Sequence, residues 1–205
     1  QGPFTVPVDA MHLTDVQSIQ EPFDFAFISV KSYDTEWATH FIKRYVKPEG
    51  FFVSLQNCWN DTVIAGIVGP ERSVGCIASH IEVALWEPGH VERGGAVGRD
   101  SGHYVFRVGE HDGSASARVT EIVGLLDLID GAYATGNLWG ERWGKLSQNS
   151  MGNAISASTA MGTLELNSSQ ASREIGIHLA KESAKVGLAM GLDVVEINAT
   201  PAAKW

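Results

Sequence analysis

Phe23-Asp-Phe-Ala-Phe-Ile-Ser-Val30, followed at once by Lys31, is a nearly continuous apolar run that ends in a charge. Such a run predicts a strand covered on both faces, because an exposed face would carry a polar residue at every second position. The signature returns at Phe51-Phe-Val-Ser-Leu55, which ends in Gln56-Asn57, and again at Val74-Gly-Cys-Ile-Ala-Ser79. Between these runs, Thr35–Val46 reads as a helix stopped by Pro48 and Gly50, and a second helix is expected over about Thr62–Val68. Strand, helix, strand, helix, strand predicts a parallel sheet with crossover helices.

Outward from this core the rhythm changes. Phe4-Thr-Val-Pro-Val8 alternates well enough to predict a short edge strand. Downstream, Ile81–Leu85, Gly89–Glu92 and Tyr104–Glu110 are short strand candidates separated by Pro and Gly, which favours antiparallel hairpins and a mixed sheet. Ser116–Leu128 carries a helical apolar stripe, with Ser114 as its expected cap. Gly131–Gly136 reads as a small-residue hinge, and the long stretches Leu138–Ala160 and Arg173–Met190 beyond it as helices. The fold class expected is α/β, a mixed sheet over residues 1–136 followed by an all-helical unit over 137–205.

Composition narrows the function. The 205 residues are 44% hydrophobic and 19% charged with a net charge of -9, which suits a globular enzyme or binding module and leaves no basic surplus for nucleic acid. No apolar stretch approaches the ~20 residues needed to cross a bilayer. The two cysteines, Cys58 and Cys76, are too few for a disulfide framework and lack metal-binding spacing, so a reduced, cytoplasmic setting is expected. Asn-x-Ser/Thr tripeptides at Asn60, Asn167 and Asn198 are read as chance occurrences, and no metal site is expected. The seven histidines form no HExxH pair, and no Gly-x-Ser-x-Gly elbow accompanies them. Glu110-His-Asp112 resembles a metal cluster only on paper, since it lies beside Gly113 in a predicted turn.

In open parallel sheets, ligands collect beyond the carboxyl ends of the strands, which makes Lys31 and the Gln56-Asn57 pair the first candidates. The stretch Leu138–Ala160 supplies the second group, because Lys145, Asn149 and Asn153 recur every four residues and would share one helical face. Asn in mid-helix costs of order half a kcal/mol relative to Ala, a loss with no packing return. From the pattern alone, a solvated face and a ligand site are both open.

Phe25-Ala-Phe-Ile-Ser-Val-Lys-Ser-Tyr-Asp-Thr35, Ser54-Leu-Gln-Asn57, Gly109-Glu-His-Asp-Gly113 and Trp143-Gly-Lys-Leu-Ser-Gln-Asn-Ser-Met-Gly-Asn153 together resemble the ketopantoate reductase family in order and spacing. The resemblance runs from about Val6 to Leu192. It implies a partial Rossmann-type NADP-binding domain (1–136) followed by a partial helical substrate and dimerisation domain (137–205). By this resemblance Lys145 matches the catalytic lysine, Asn149 and Asn153 match substrate-holding side chains, and Lys31 and Asn57 match residues lining the cofactor and active-site cleft, Asn57 also facing the substrate. The implied activity is NADPH-dependent reduction of a small 2-keto acid, such as 2-dehydropantoate, by a cytoplasmic homodimer.

Those residue types suit the chemistry. Hydride arriving at a ketone carbon places negative charge on its oxygen, which a nearby ammonium can neutralise and protonate. Amide side chains donate to carboxylate and hydroxyl oxygens without adding charge. The family's Gly-x-Gly-x-x-Gly phosphate loop does not occur in the sequence, and an acidic catalytic residue of later helices is not matched. The expectation is therefore an internal portion lacking both ends, inactive by itself and a poor binder of the dinucleotide. Cys58 stands where the family often has glycine. A non-catalytic protein that kept the fold, and a relative acting on another 2-keto or 2-hydroxy acid, are the alternatives.

Overall fold

A computed structural model describes residues 3–95, 97–197 and 199–205. The Asn198 tripeptide therefore starts outside the described residues. In chain order the elements are β1 (Phe23–Ile28), α1 (Thr35–Ile42), β2 (Val46–Ser54), α2 (Asp61–Val68), β3 (Ser73–Ala78), β4 (Glu82–Glu87), β5 (His90–Gly94), β6 (Phe106–Glu110), α3 (Ala117–Asp127), β7 (Ala132–Ala134), α4 (Leu138–Ser150), α5 (Asn153–Thr159), α6 (Thr163–Ser168) and α7 (Gln170–Ala189).

The three apolar runs form β1, β2 and β3, which are adjacent and parallel in a five-stranded sheet of order β1-β2-β3-β6-β7. Because parallel strands need crossovers, helices cover both faces of the sheet. Phe51, Val53, Val74, Cys76 and Val108 pack with Val119, Ile122 and Leu126 of α3. Phe52 and Ile28 form a second cluster with Ile64 and Val68 of α2, and Ile42 of α1 packs against it. Full burial of a side chain such as Phe52 stabilises by about 2–3 kcal/mol. β3 and β6 pair antiparallel, making the sheet mixed, and β4 and β5 form a separate hairpin.

Four local readings change. Phe4–Val8 is not a strand: Pro7 offers no donor, no strand among the described residues pairs with it, and Phe4 and Val8 are exposed. Gly131–Gly136 is not a bare hinge, since Ala132–Ala134 pairs parallel with β6 as β7. Its close approach needs small residues, as a Cβ on Gly109 would meet the Thr135 carbonyl oxygen at 2.7 Å. The cap of α3 is Ser116, whose Oγ accepts from Val119 N at 3.2 Å, while Ser114 belongs to the preceding turn, where its N donates to Asp112 Oδ1 at 2.9 Å.

The fourth change affects the candidate residues. The expected helix Leu138–Ala160 breaks at Met151-Gly152 into α4 and α5. α7 passes so close at that point that a Cβ on its Gly176 would meet Met151 O at 2.6 Å. α7 presents a seam of Gly176, Ala180, Ala184 and Gly187, which lets α4 approach closely enough for Trp143 Nε1 to donate to Ser183 O at 2.8 Å. The short helix α6 has no counterpart in the sequence pattern.

Asp130 anchors the hairpin to the start of β7. Its buried carboxylate accepts from Gly98 N and Arg99 N, each at 2.9 Å, from Gly131 N at 2.6 Å, and from the Arg93 guanidinium. Burial alone would raise its pKa, yet Arg93 and the three backbone donors hold it well below the usual carboxylate range. Asp130→Asn is expected to cost about 2 kcal/mol at pH 7 in urea unfolding. Because the folded pKa is depressed, this contribution is present above about pH 4 and is lost as pH falls further, so the gap from the unaltered protein should narrow by pH 3.

Candidate active site

β1 and β2 end at the same sheet edge, so Lys31 and Asn57 emerge together beyond it. The two exits border a cavity of about 460 Å³ lined by Ser29, Lys31, Ser32, Asp34, Gln56 and Asn57, among others. Buried Gln56 fixes the floor, donating to Val30 O at 2.5 Å and Thr35 Oγ1 at 2.9 Å. Asn60 Nδ2 ties the second exit to the first, donating to Asn57 O at 2.8 Å and Ser32 Oγ at 2.9 Å. The Trp59 ring packs tilted against Trp139, with centroids 4.7 Å apart, and edge-to-face against Trp143 at 5.2 Å, which fastens the 57–60 turn to α4.

From α4, Lys145 reaches this edge. Its Nζ donates to Asn57 Oδ1 at 2.8 Å and to the Ala78 carbonyl at the end of β3. Burial first, and then the positive charges of Arg142 and Arg107, push its pKa down to about 8. Both acceptors are followed by residues in left-handed backbone, Cys58 with φ 67° two residues before Asn60 and His80 with φ 56° two residues after Ala78. Each costs roughly 1–2 kcal/mol in a non-glycine residue, strain of the kind that surrounding contacts must hold at a site.

On the other side of Lys145 lies a cavity of about 530 Å³, bordered by Ser79, His80, Arg107, Tyr133, Glu141 and Gln148. Arg107 Nη1 donates to Ser79 Oγ at 3.0 Å, and its Nε lies 3.0 Å from Glu141 Oε2. Tyr133 and Thr135 donate to the two oxygens of Glu141. Burial, followed by the Glu141 charge, raises the Tyr133 pKa, while burial and His103 lower that of His80. The wall at pH 7 thus holds a neutral phenol, a largely neutral imidazole and an ion pair.

Lys145 and Asn57 meet, then, while the other candidates sit apart. Asn149 lies one turn beyond Lys145 on α4, half-buried, with no side-chain hydrogen bond among the described residues. Asn153 is exposed and begins α5 beyond the break, so it no longer continues the Lys145 face of a single helix. Lys31 is exposed at the border of the smaller cavity. Among the described residues there is no cluster of three or more His, Cys, Asp or Glu side chains suited to a metal, and Glu110 instead pairs with Arg118 at 2.6 Å. Sequence reasoning missed Arg107, Glu141 and Arg142. The signal for Arg142 was a cation between Trp139 and Trp143, on a stretch otherwise suited to burial.

A family model described as "Ketopantoate reductase PanE/ApbA" matches residues 2–104. No curated protein matches the chain significantly. Among solved structures, a putative ketopantoate reductase from Ralstonia solanacearum MolK2 is 19% identical with a TM-score of 0.75, covering 90% of this chain and 61% of its own. A 2-dehydropantoate 2-reductase from Geobacter metallireducens GS-15 is 22% identical with a TM-score of 0.74, covering 87% and 57%. D-mandelate dehydrogenase, solved with NADH and anilino(oxo)acetate, is 16% identical with a TM-score of 0.69, covering 86% and 55%. The chain thus spans 55–61% of the length of these three structures, whose likeness is one of fold. With the family match running over half of the sequence, through all three parallel strands and both of their polar exits, the chain belongs to the ketopantoate reductase PanE/ApbA family.

Proposed function

We propose that the protein is an NADP-dependent oxidoreductase that reduces a small 2-keto acid, 2-dehydropantoate to pantoate or a close analogue. The observation that carries this reading is the position of Lys145: its ammonium stands between the two cavities, held by Asn57 from one and lining the other. In this reading the smaller cavity faces the cofactor. Its strand-end place and its ammonium, hydroxyl and amide groups, from Lys31, Ser32 and Asn57, suit the polar groups of a nicotinamide nucleotide. When bound, the reduced nicotinamide supplies the hydride.

The chain's own residues supply placement and a proton. Lys145 is mostly protonated at neutral pH, with a pKa near 8, and close enough to neutrality to release its proton to a developing alkoxide. Asn57 aims the ammonium, and Asn149, one turn beyond Lys145, is the nearer of the two family-matched amides for the substrate's carboxylate and hydroxyl oxygens, while Asn153, at the start of α5, takes that role on the family resemblance alone. The proposal includes residues 1–136 as part of the cofactor unit and 137–205 as part of the substrate and dimerisation unit. A homodimer accords with the apolar residues that α7 leaves exposed, Ile175, Ile177, Val186 and Leu188. Among the described residues no helix is long and apolar enough to cross a membrane, and a cytoplasmic site accords with two free cysteines.

A panel of 2-keto acids with NADPH and NADH, followed by loss of dihydronicotinamide absorbance in the whole protein, tests the reading. Reduction of branched 2-keto acids with preference for NADPH is the expected result. Binding of the cofactor without turnover of any panel member would favour a non-catalytic role. The D-mandelate dehydrogenase among the similar structures supports a second reading, oxidation of a 2-hydroxy acid, and the panel run in reverse with NAD and NADP distinguishes it.

A further inference from the structure

Arg142 is the largest fully buried side chain among the described residues, 2% exposed, in a helix that lies across the carboxyl ends of the strands. Its guanidinium donates to Gln56 O at 2.6 Å, Cys76 O at 3.2 Å and Ser54 O at 3.3 Å, and to Asp61 Oδ1 at 2.7 Å. Lys145, three residues on, grips the same two strand exits further out, at Asn57 Oδ1 and Ala78 O. Two cations of one helix thus take successive acceptors along β2 and β3.

As a fastening alone this arrangement is poor. A buried ion pair seldom adds stability over apolar residues of the same volume, because desolvation offsets the attraction. This pair also leaves Arg142 Nε and Asp61 Oδ2 buried without hydrogen-bond partners. What an apolar residue would not provide is a fixed charge beside Lys145 and prior occupation of the inner carbonyls.

We propose that Arg142 is a positioning residue for Lys145, its guanidinium filling the inner strand-end acceptors so that the ammonium is directed to Asn57 and Ala78 and held next to a second positive charge. The catalytic meaning of this device rests on the reading of Lys145 as the proton donor. The other groups around Lys145 leave Arg142 a clear part. Arg107 from β6 is matched by Glu141 of α4, and the Cys76 thiol of β3 is pushed up to about 12 by burial and stays neutral. His80 after β3 has a lowered pKa and Tyr133 of β7 a raised one, Cys58 follows Asn57 in the turn, and Glu196 is an exposed member of the cavity rim. Asp61 makes its bond to Arg142 and none to Lys145. Burial and the Arg142 charge are the two largest causes of the lowered Lys145 pKa.

The test reads Lys145 directly, by NMR titration of the protein after reductive methylation of its lysines with labelled formaldehyde, the Lys145 signal being assigned by its loss in Lys145→Arg. Asp61→Asn and the double variant Arg142→Met/Asp61→Asn differ only in the guanidinium. The Lys145 pKa should be roughly one unit higher in the double variant. Arg142→Lys/Asp61→Asn, which keeps a cation, should restore the low value. Should the Met variant not fold, Arg142→Gln/Asp61→Asn keeps a donor for the strand carbonyls and should show the same rise. Equal Lys145 pKa values with and without the Arg142 charge in folded proteins would overturn the proposal. The descending alkaline limb of 2-keto acid reduction should move with the titration. A shifted pKa in a protein that reduces no 2-keto acid would sink the functional reading alone. Reduction with an unmoved limb and an unmoved pKa would sink the positioning role alone.

Discussion

Lys145→Ala is expected to lower kcat for ketone reduction about 1,000-fold, roughly 4 kcal/mol of transition-state stabilisation, while cofactor affinity stays within about twofold. A donor that meets negative charge only as the alkoxide forms contributes mainly in the transition state, so kcat and kcat/KM should fall together. The pH dependence carries the sign. With a pKa near 8, Lys145 is protonated through neutrality, so reduction should be flat to about pH 7 and fall as pH rises above 8. In Lys145→Ala that limb should vanish. Stability has its own signature, because the pKa is lowered from 10.5 to about 8 on folding and the folded state binds fewer protons in that window. Unfolding free energy of the unaltered protein should therefore rise between pH 8 and 10.5 relative to the variant. Near-normal turnover in Lys145→Ala would make the lysine a structural residue of the strand exits.

The parts of this fold that the sequence makes legible are those whose environment is uniform along the chain. Phe51–Ser54 of β2 and nearly all of β3 are buried on both faces, so each appears as an unbroken apolar run. β1, at the edge of the sheet, carries the same kind of run although Phe23 and Phe27 are exposed, and the polar residues that close the runs mark the strand ends where Lys31 and Asn57 emerge. β7 and the α4/α5 break are different in kind. Ala132-Tyr-Ala134 is too short to show a period and is a strand only because β6 offers it a ladder. Met151-Gly152 interrupts a good helical pattern at the point where Gly176 of a distant helix needs the space. The site divides the same way. Lys145 and Asn57 are identifiable through a family resemblance, but their hydrogen bond joins residues 88 apart, and no local pattern announces it. Arg142 escapes notice because a cation in an amphipathic helix ordinarily faces solvent. Its partners, Asp61 and the ends of β2 and β3, lie 66–88 positions away.

Gly140→Ala should destabilise the protein by about 3 kcal/mol, against what its local sequence suggests. Gly in a helix interior is ordinarily worth roughly 1 kcal/mol less than Ala, so propensity alone forecasts a gain. Here α4 is pressed onto the segment after α7, and a Cβ on Gly140 would lie 1.8 Å from Asp193 O and 2.5 Å from the Asn137 side chain. Neither can give way cheaply. The first is backbone, and the second is the cap of α4, accepting from Gly140 N at 3.1 Å while donating to Asp193 O at 2.8 Å. One turn on, a Cβ at Gly144 would meet Val195 Cγ2 at 2.5 Å, so the helix cannot pivot about its first turn to make room. Overpacking of this kind costs about 1–3 kcal/mol, and loss of the cap adds about 1. Gly124, exposed on α3 with nothing within 4 Å of where a Cβ would stand, is the control: Gly124→Ala should show the propensity gain of up to about 1 kcal/mol. Urea midpoints of the two variants should therefore move in opposite directions. If Gly140→Ala matched the gain at Gly124, the close contact of α4 with residues 193–195 would be refuted. With it would go the rigid seating that lets Lys145, on the next turns of the same helix, reach Asn57 and Ala78.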